Sequence, residues 1–180
     1  MTEPIFTLAN QLTLLRMAMV PLLVVLVLSG EHRWAFFVFL AAGLTDLLDG
    51  WVARLSHQQT RLGAMLDPAA DKLLVGSMFV VLTWGSEGFV TIPTWVTVAI
   101  LSRDGILLIA VVVINLAVGR RLFYPTLLGK LTTFAQMITA GLVLLASAFE
   151  VTIPGLDAAF VVAVAMTLGS AAHYAYLGSR

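Results

Sequence analysis

Four of the chain's aspartates, Asp46, Asp49, Asp67 and Asp71, crowd into a stretch of 26 residues, with glycine and alanine between them. At about 100° per residue, a helix places Asp46, Asp49, Gly50 and Ala53 within an arc of roughly 100°. That face carries two carboxylates and then two residues with almost no side chain, a slot where a ligand can approach the backbone. Asp67 and Asp71 are four apart and stack on one side of a second helix. Carboxylates converging from two adjacent helices form a hard-oxygen donor set suited to divalent cations. Paired divalent ions in turn suit phosphoryl transfer, where they clamp a diphosphate and stabilise the leaving phosphate. A carboxylate left free of metal serves as general base for an incoming hydroxyl.

Magnitudes weigh this chemistry against a purely structural role. An aspartate deep in an apolar helix costs about 3 kcal/mol on insertion scales. Two carboxylates about 5 Å apart repel by about 3 kcal/mol at an effective dielectric of 20. Helix capping and surface pairing with Arg54, Arg61 and Lys72 explain any single aspartate as well as catalysis does. They do not explain all four at these spacings. Arg54 and Lys72 are expected to neutralise part of the cluster, and divalent cations the rest.

The elements that must position these residues follow from composition. The chain has 180 residues, 60% hydrophobic and 11% charged, with a formal net charge of zero. An ordinary soluble domain is roughly 25% charged. Surplus apolar surface on this scale calls for an apolar solvent, the bilayer. Without a basic stripe, a nucleic-acid role is disfavoured. Without cysteine, disulfides and thiolate metal sites are excluded. Six segments are apolar and long enough to span a membrane as helices: roughly 12–29, 34–54, 68–84, 92–117, 128–149 and 157–177. The expected fold is all-α, a polytopic membrane protein of six transmembrane helices forming one domain over 1–180. Residues 4–10 read either as a short interfacial helix or as an ordinary lead-in to the first span. Met1-Thr2-Glu3-Pro4 lacks a basic n-region, so the first span reads as retained rather than cleaved. Asp67-Pro68 reads as an N-cap followed by proline at the first helical position, the alternative being a helix from near Gly63 kinked at Pro68.

With the N-terminus inside, the inner loops and helix ends carry Arg54, Arg61, Lys72, Arg120, Arg121, Lys130 and Arg180. The outer side carries Arg33 with Glu31, Glu87, Glu150 and Asp157. The positive-inside rule then places both termini in the cytoplasm, with the aspartates at the inner mouth of the bundle. The expected location is the cell inner (cytoplasmic) membrane, with the active site facing the cytoplasm. Trp34, Trp84 and Trp95 lie near span ends, where indoles sit at headgroup level, while Trp51 adjoins the acidic face.

The run Asp46-x₂-Asp49-Gly50-x₂-Ala53-Arg54-x₈-Gly63-x₃-Asp67-x₃-Asp71 resembles the signature of the CDP-alcohol phosphotransferase family at every signature position. Asn10-x₂-Thr13-x₂-Arg16 is similar to the polar triplet carried by the first span of that family. The resemblance implies that Asp46, Asp49 and Asp67 hold two divalent ions, Mg²⁺ or Mn²⁺. It implies that Asp71 sits at the second metal and acts as catalytic base on the acceptor hydroxyl. Asn10, Thr13, Gly50 and Ala53 are implied to accommodate the CDP moiety, with Arg54 at its diphosphate and Gly63 allowing close approach. A phosphatidyl group would pass from CDP-diacylglycerol to an alcohol, with CMP as leaving group, in phospholipid biosynthesis. A homodimer is the family expectation.

For the acceptor, Ser102-Arg103-Asp104 and Gly129-Lys130-Leu131-Thr132-Thr133 resemble segments of phosphatidylglycerophosphate synthases and of the related cardiolipin synthases. An Arg-Asp pair inside a span must face the bundle interior. It reads either as a buried structural ion pair or as an anchor for an acceptor phosphate, helped by Lys130 and by Arg120 or Arg121. Glycerol 3-phosphate is the favoured acceptor, phosphatidylglycerol the alternative, and inositol or inositol phosphate the third choice. His173 and Tyr174 read as packing residues or interface anchors, with lining of a lipid groove as the functional reading. Two other classes compete. A metal or proton transporter would distribute its acids through the membrane depth, and an intramembrane prenyltransferase would lack the Gly-x₂-Ala-Arg behind its acids.

Overall fold

The computed structural model describes residues 8–56, 61–85, 90–118 and 126–178. Six helices follow one another: α1 (Leu8–Leu28), α2 (His32–Ser56), α3 (Arg61–Val80), α4 (Thr94–Val118), α5 (Leu127–Phe149) and α6 (Leu156–Gly178). The end of α3 widens into a π-helical turn, Val81–Gly85. Among the described residues there is no strand, and the expected all-α class is observed. Each apolar segment of the sequence lies largely in its own helix. Of the interfacial segment expected at 4–10, Leu8, Ala9 and Asn10 belong to α1 and the remainder lies outside the described residues.

Chain order does not dictate the packing order. Helix α1 packs on α2 and α3, α2 packs on α5, and α5 packs on α6 and α3. Helix α4 closes the bundle against α6 and α3. At the centre lie Leu23, Val27, Phe39, Met78, Phe79, Leu82, Val96, Ile100 and Leu144, all 5% exposed or less. Small residues set the closest approaches, as packing between helices in lipid requires. A Cβ on Gly141 would stand 3.2 Å from the Phe39 ring, a tight contact that the glycine avoids where α2 and α5 meet.

The bundle is apolar on its outside as well as at its centre, unlike a water-soluble one. Leu116 is 83% exposed, Leu108 69% and Ile106 65%, whereas Arg16, Thr97, Gln136, Thr167 and Ser170 are 0% exposed. Apolar side chains face outward and polar side chains face each other, the distribution expected where the surrounding solvent is hydrocarbon. Leu127–Phe149 and Leu156–Tyr174 are long and apolar enough to cross a membrane. Trp34, Trp84 and Trp95 are each more than half exposed.

Helix ends are capped locally. Thr126 Oγ1 accepts from the Gly129 N–H at 3.2 Å to start α5. Glu150 adopts a left-handed conformation (φ 53°) after α5 and returns its N–H to the Ala146 carbonyl. Helix α3 begins at Arg61, six residues before Asp67, so Asp67 is not its N-cap. The segment from Arg61 to Leu66 is rich in good helix formers, and that propensity carries the helix back past the proline. Pro68 then falls inside the helix, where it removes one backbone donor.

Candidate active site

Helices α1 and α3 meet through one ion pair. Arg16 Nη1 lies 3.1 Å from Asp71 Oδ1, with Arg16 fully buried and Asp71 33% exposed. Thr13, one turn earlier on the same face of α1, is buried as well. An arginine in mid-span costs about 3 kcal/mol unless it faces the bundle interior and finds a partner. A carboxylate is the partner that offsets this best, since the guanidinium stays charged at any relevant pH. Arg16 therefore holds the carboxylate that the family resemblance implies as the base. The sequence had suggested only its polar triplet, without this pairing.

One residue further along α3, the chain turns to a different neighbour. Lys72 Nζ donates to Asp104 Oδ2 on α4 at 2.6 Å, and Arg103 Nη1 donates to Asp104 Oδ1 at 2.6 Å. Arg103 Nη2 donates to Ser170 Oγ on α6, and the guanidinium lies over the Tyr174 ring, 5.9 Å from its centroid. The Tyr174 hydroxyl accepts from the Thr126 N–H at 3.1 Å. Three helices and the start of α5 are thus joined through polar side chains at the level of Asp71. The Arg103-Asp104 neighbours do form the ion pair that the sequence offered as one reading. Lys72, expected to neutralise the four aspartates, instead pairs with Asp104, because α3 presents residue 72 to α4 rather than to α1 or α2. Tyr174 is tied to Arg103 and Thr126, in keeping with the packing role read for it.

The remaining site residues divide by placement. Asp46, Asp49, Gly50, Ala53 and Arg54 belong to α2, and Gly63 and Asp67 to α3. Their side chains, and that of Asn10, lie outside the described residues, as does Arg120 altogether. Counted along the helices, Asp46 is ten residues before Ser56 and Asp71 ten residues after Arg61. Asp49 is seven before Ser56 and Asp67 six after Arg61. The four acidic positions are therefore internal to their helices, about 10 to 15 Å of helical rise from the connection between them. Lys130 is exposed in the first turn of α5. Among the described residues, no three acidic or histidine side chains gather into a metal-binding group. A donor set of four carboxylates is nonetheless the chemistry that a hard divalent cation takes. Sequence reasoning also missed Ser170 as a partner of Arg103. The spacing of Thr167, Ser170 and Tyr174, on one face of α6, was the available signal.

Membership of a family follows from comparison with known proteins. Residues 6–170 match the family model described as CDP-alcohol phosphatidyltransferase. The chain belongs to that family. It is a membrane transferase of phospholipid biosynthesis that moves a phosphatidyl group from CDP-diacylglycerol. It is 38% identical over 154 residues to a protein of Streptomyces coelicolor named cardiolipin synthase (CMP-forming), covering 80% of this chain and 67% of the relative. It is 42% identical over 150 residues to a Mycobacterium tuberculosis protein named probable phosphatidylglycerophosphate synthase, covering 78% and 67%. A human protein named cardiolipin synthase (CMP-forming) is 35% identical over 161 residues, and there the match spans 81% of this chain and 52% of the relative.

Proposed function

We propose that the acceptor is an alcohol of the glycerol type that itself carries a phosphate, with glycerol 3-phosphate as the favoured substrate. The observation that carries this reading is the placement of Asp71 and Lys72, a carboxylate and an ammonium on consecutive residues directed at different helices. In the reaction, the acceptor hydroxyl oxygen forms a bond to the phosphatidyl phosphorus, and the bond from that phosphorus to CMP breaks. Asp71 takes the hydroxyl proton, while Arg16 keeps its carboxylate in place. Asp46, Asp49 and Asp67, with Asp71, would hold two divalent ions, Mg²⁺ or Mn²⁺. Bound there, the ions would supply charge stabilisation at the diphosphate. Asn10, Thr13, Gly50, Ala53, Arg54 and Gly63 would form the CDP subsite.

Phosphatidylglycerol is the second reading. Ser102-Arg103-Asp104 favours it, together with relatives named cardiolipin synthase. The further parts of the reading are one domain of six membrane-spanning helices, both termini in the cytoplasm, an active site facing the cytoplasm across the inner membrane, and a homodimer. They rest on the outward-facing apolar side chains, on the distribution of basic residues and on the family resemblance.

The test is CMP release by the purified protein in detergent, given CDP-diacylglycerol and Mg²⁺. Glycerol 3-phosphate, phosphatidylglycerol, inositol phosphate and serine are supplied in parallel. Release is expected with glycerol 3-phosphate and is expected to stop with EDTA. Release only with serine or inositol phosphate would overturn the acceptor assignment.

A further inference from the structure

We propose that Lys72 is the residue that takes up the acceptor's phosphate, and that Asp104 is the positioning residue that holds Lys72 ready for it. This rests on the reading that the acceptor carries a phosphate. Two cations, Lys72 and Arg103, share the single carboxylate of Asp104, so among the described residues one positive charge in this group is not matched by its own partner. Exposure decides which cation carries that surplus. Arg103 is 6% exposed, donates through both terminal nitrogens and is stacked on Tyr174. It is locked. The side chain of Lys72 is 41% exposed, and its ammonium has three donors, of which Asp104 takes one. The surplus charge therefore lies on the more exposed of the two cations, where an anion can reach it.

Position along the chain fits the size of the ligand. Consecutive Cα atoms are about 3.8 Å apart. Asp71 is directed to α1 and Lys72 to α4 from adjacent faces of one turn of α3, so a molecule bearing a hydroxyl and a phosphate on a three-carbon backbone would have to bridge those two faces to meet both side chains. In the free protein the Asp104 carboxylate fixes the ammonium, which spares the entropy of ordering a flexible lysine when substrate arrives. On binding, phosphate oxygens take the two remaining donors. Arg103, with Ser170 and Tyr174, holds Asp104 rather than touching substrate.

The experiment compares Lys72→Met and Lys72→Arg with the wild-type protein in the CMP-release assay. Lys72→Met leaves Arg103 and Asp104 as a neutral pair, so the fold is retained. The acceptor KM is expected to rise at least tenfold, with the CDP-diacylglycerol KM and kcat within about twofold of wild type. Lys72→Arg is expected to recover most of the loss. A fall in kcat with unchanged acceptor KM, or a rise in the KM for CDP-diacylglycerol instead, would overturn the proposal. A second measurement needs no variant. The chain has two lysines, Lys72 and Lys130, whose acetylation by an amine reagent can be followed together by mass spectrometry. Glycerol 3-phosphate or inorganic phosphate is expected to protect Lys72 several-fold more than Lys130. Protection of Lys130 alone, or of neither, would overturn it. Wild-type activity with glycerol 3-phosphate or phosphatidylglycerol tests the acceptor reading separately, so the two failures are distinguishable.

Discussion

Arg16 on α1 and Asp71 on α3, 55 residues apart in the chain, meet at 3.1 Å with the arginine wholly removed from solvent. The pair fixes the carboxylate that would accept the proton, and it does so with a cation unable to compete as a proton donor. Replacing Arg16 by methionine removes the buried charge but leaves the carboxylate of Asp71 without its guanidinium. CMP release is expected to fall at least tenfold, and stability by about 1–3 kcal/mol. Arg16→Lys keeps the charge without the planar fork and is expected to recover only part of the activity. Thermal unfolding in detergent, run beside the assay, checks both; full activity in Arg16→Met would remove Arg16 from the site.

Asp71→Asn separates basicity from geometry. The amide oxygen still accepts from Arg16, but the buried guanidinium loses this counter-charge, so the melting temperature is expected to fall by a few degrees while the fold is kept. Loss of a general base typically costs about 100- to 10,000-fold in rate. CMP release should fall within that range even at saturating acceptor. A variant that retains wild-type kcat would show that the proton goes elsewhere.

Tyr174 and Gly129 are expected to be coupled. A Cβ at residue 129 would stand 3.0 Å from the Tyr174 hydroxyl, so Gly129→Ala requires that oxygen to shift by a few tenths of an ångström and strains its bond from the Thr126 N–H. Tyr174→Phe removes the oxygen and costs about 1 kcal/mol, leaving the ring over Arg103. In the double variant the clash has already gone. The combined loss should therefore be smaller than the two single losses together, by about 1 kcal/mol. Strict additivity in thermal or denaturant unfolding would contradict the contact.

Gln136 points the other way. It is fully buried on α5, donating through Nε2 to Thr167 Oγ1 at 3.0 Å, while its Oε1 has no partner. A buried acceptor left unmatched costs about 1–3 kcal/mol. Thr167 keeps its own bond to the Ala163 carbonyl when the glutamine is gone. Gln136→Leu is accordingly expected to leave the melting temperature unchanged or to raise it. A clear drop would mean that Oε1 is satisfied in the membrane.

Much of the architecture is legible in the sequence. The apolar segment read at 128–149 is α5 within a residue or two, and that at 157–177 is α6, because length and hydropathy fix a helix in an apolar solvent. The start of α3 is not so readable. Asp67-Pro68 has the form of a cap, but the helix formers before it extend the helix to Arg61. An N-cap signal is worth about 1 kcal/mol and is outweighed by the helix formers Arg61, Leu62, Ala64, Met65 and Leu66, in a helix that packs on α1.

The spacing of Asp46, Asp49, Asp67 and Asp71 by itself determined which faces of two helices carry carboxylate, and the hydropathy determined that these faces belong to an apolar bundle. Only the tertiary structure decided the partners. Arg16 reaches Asp71, Lys72 turns to Asp104 across 32 residues of chain, and Ser170 and Tyr174 close around Arg103. Helical periodicity specifies where a side chain sits on its own helix. Which helix lies opposite is set by how all six pack together, and that is where each buried charge finds its counter-charge.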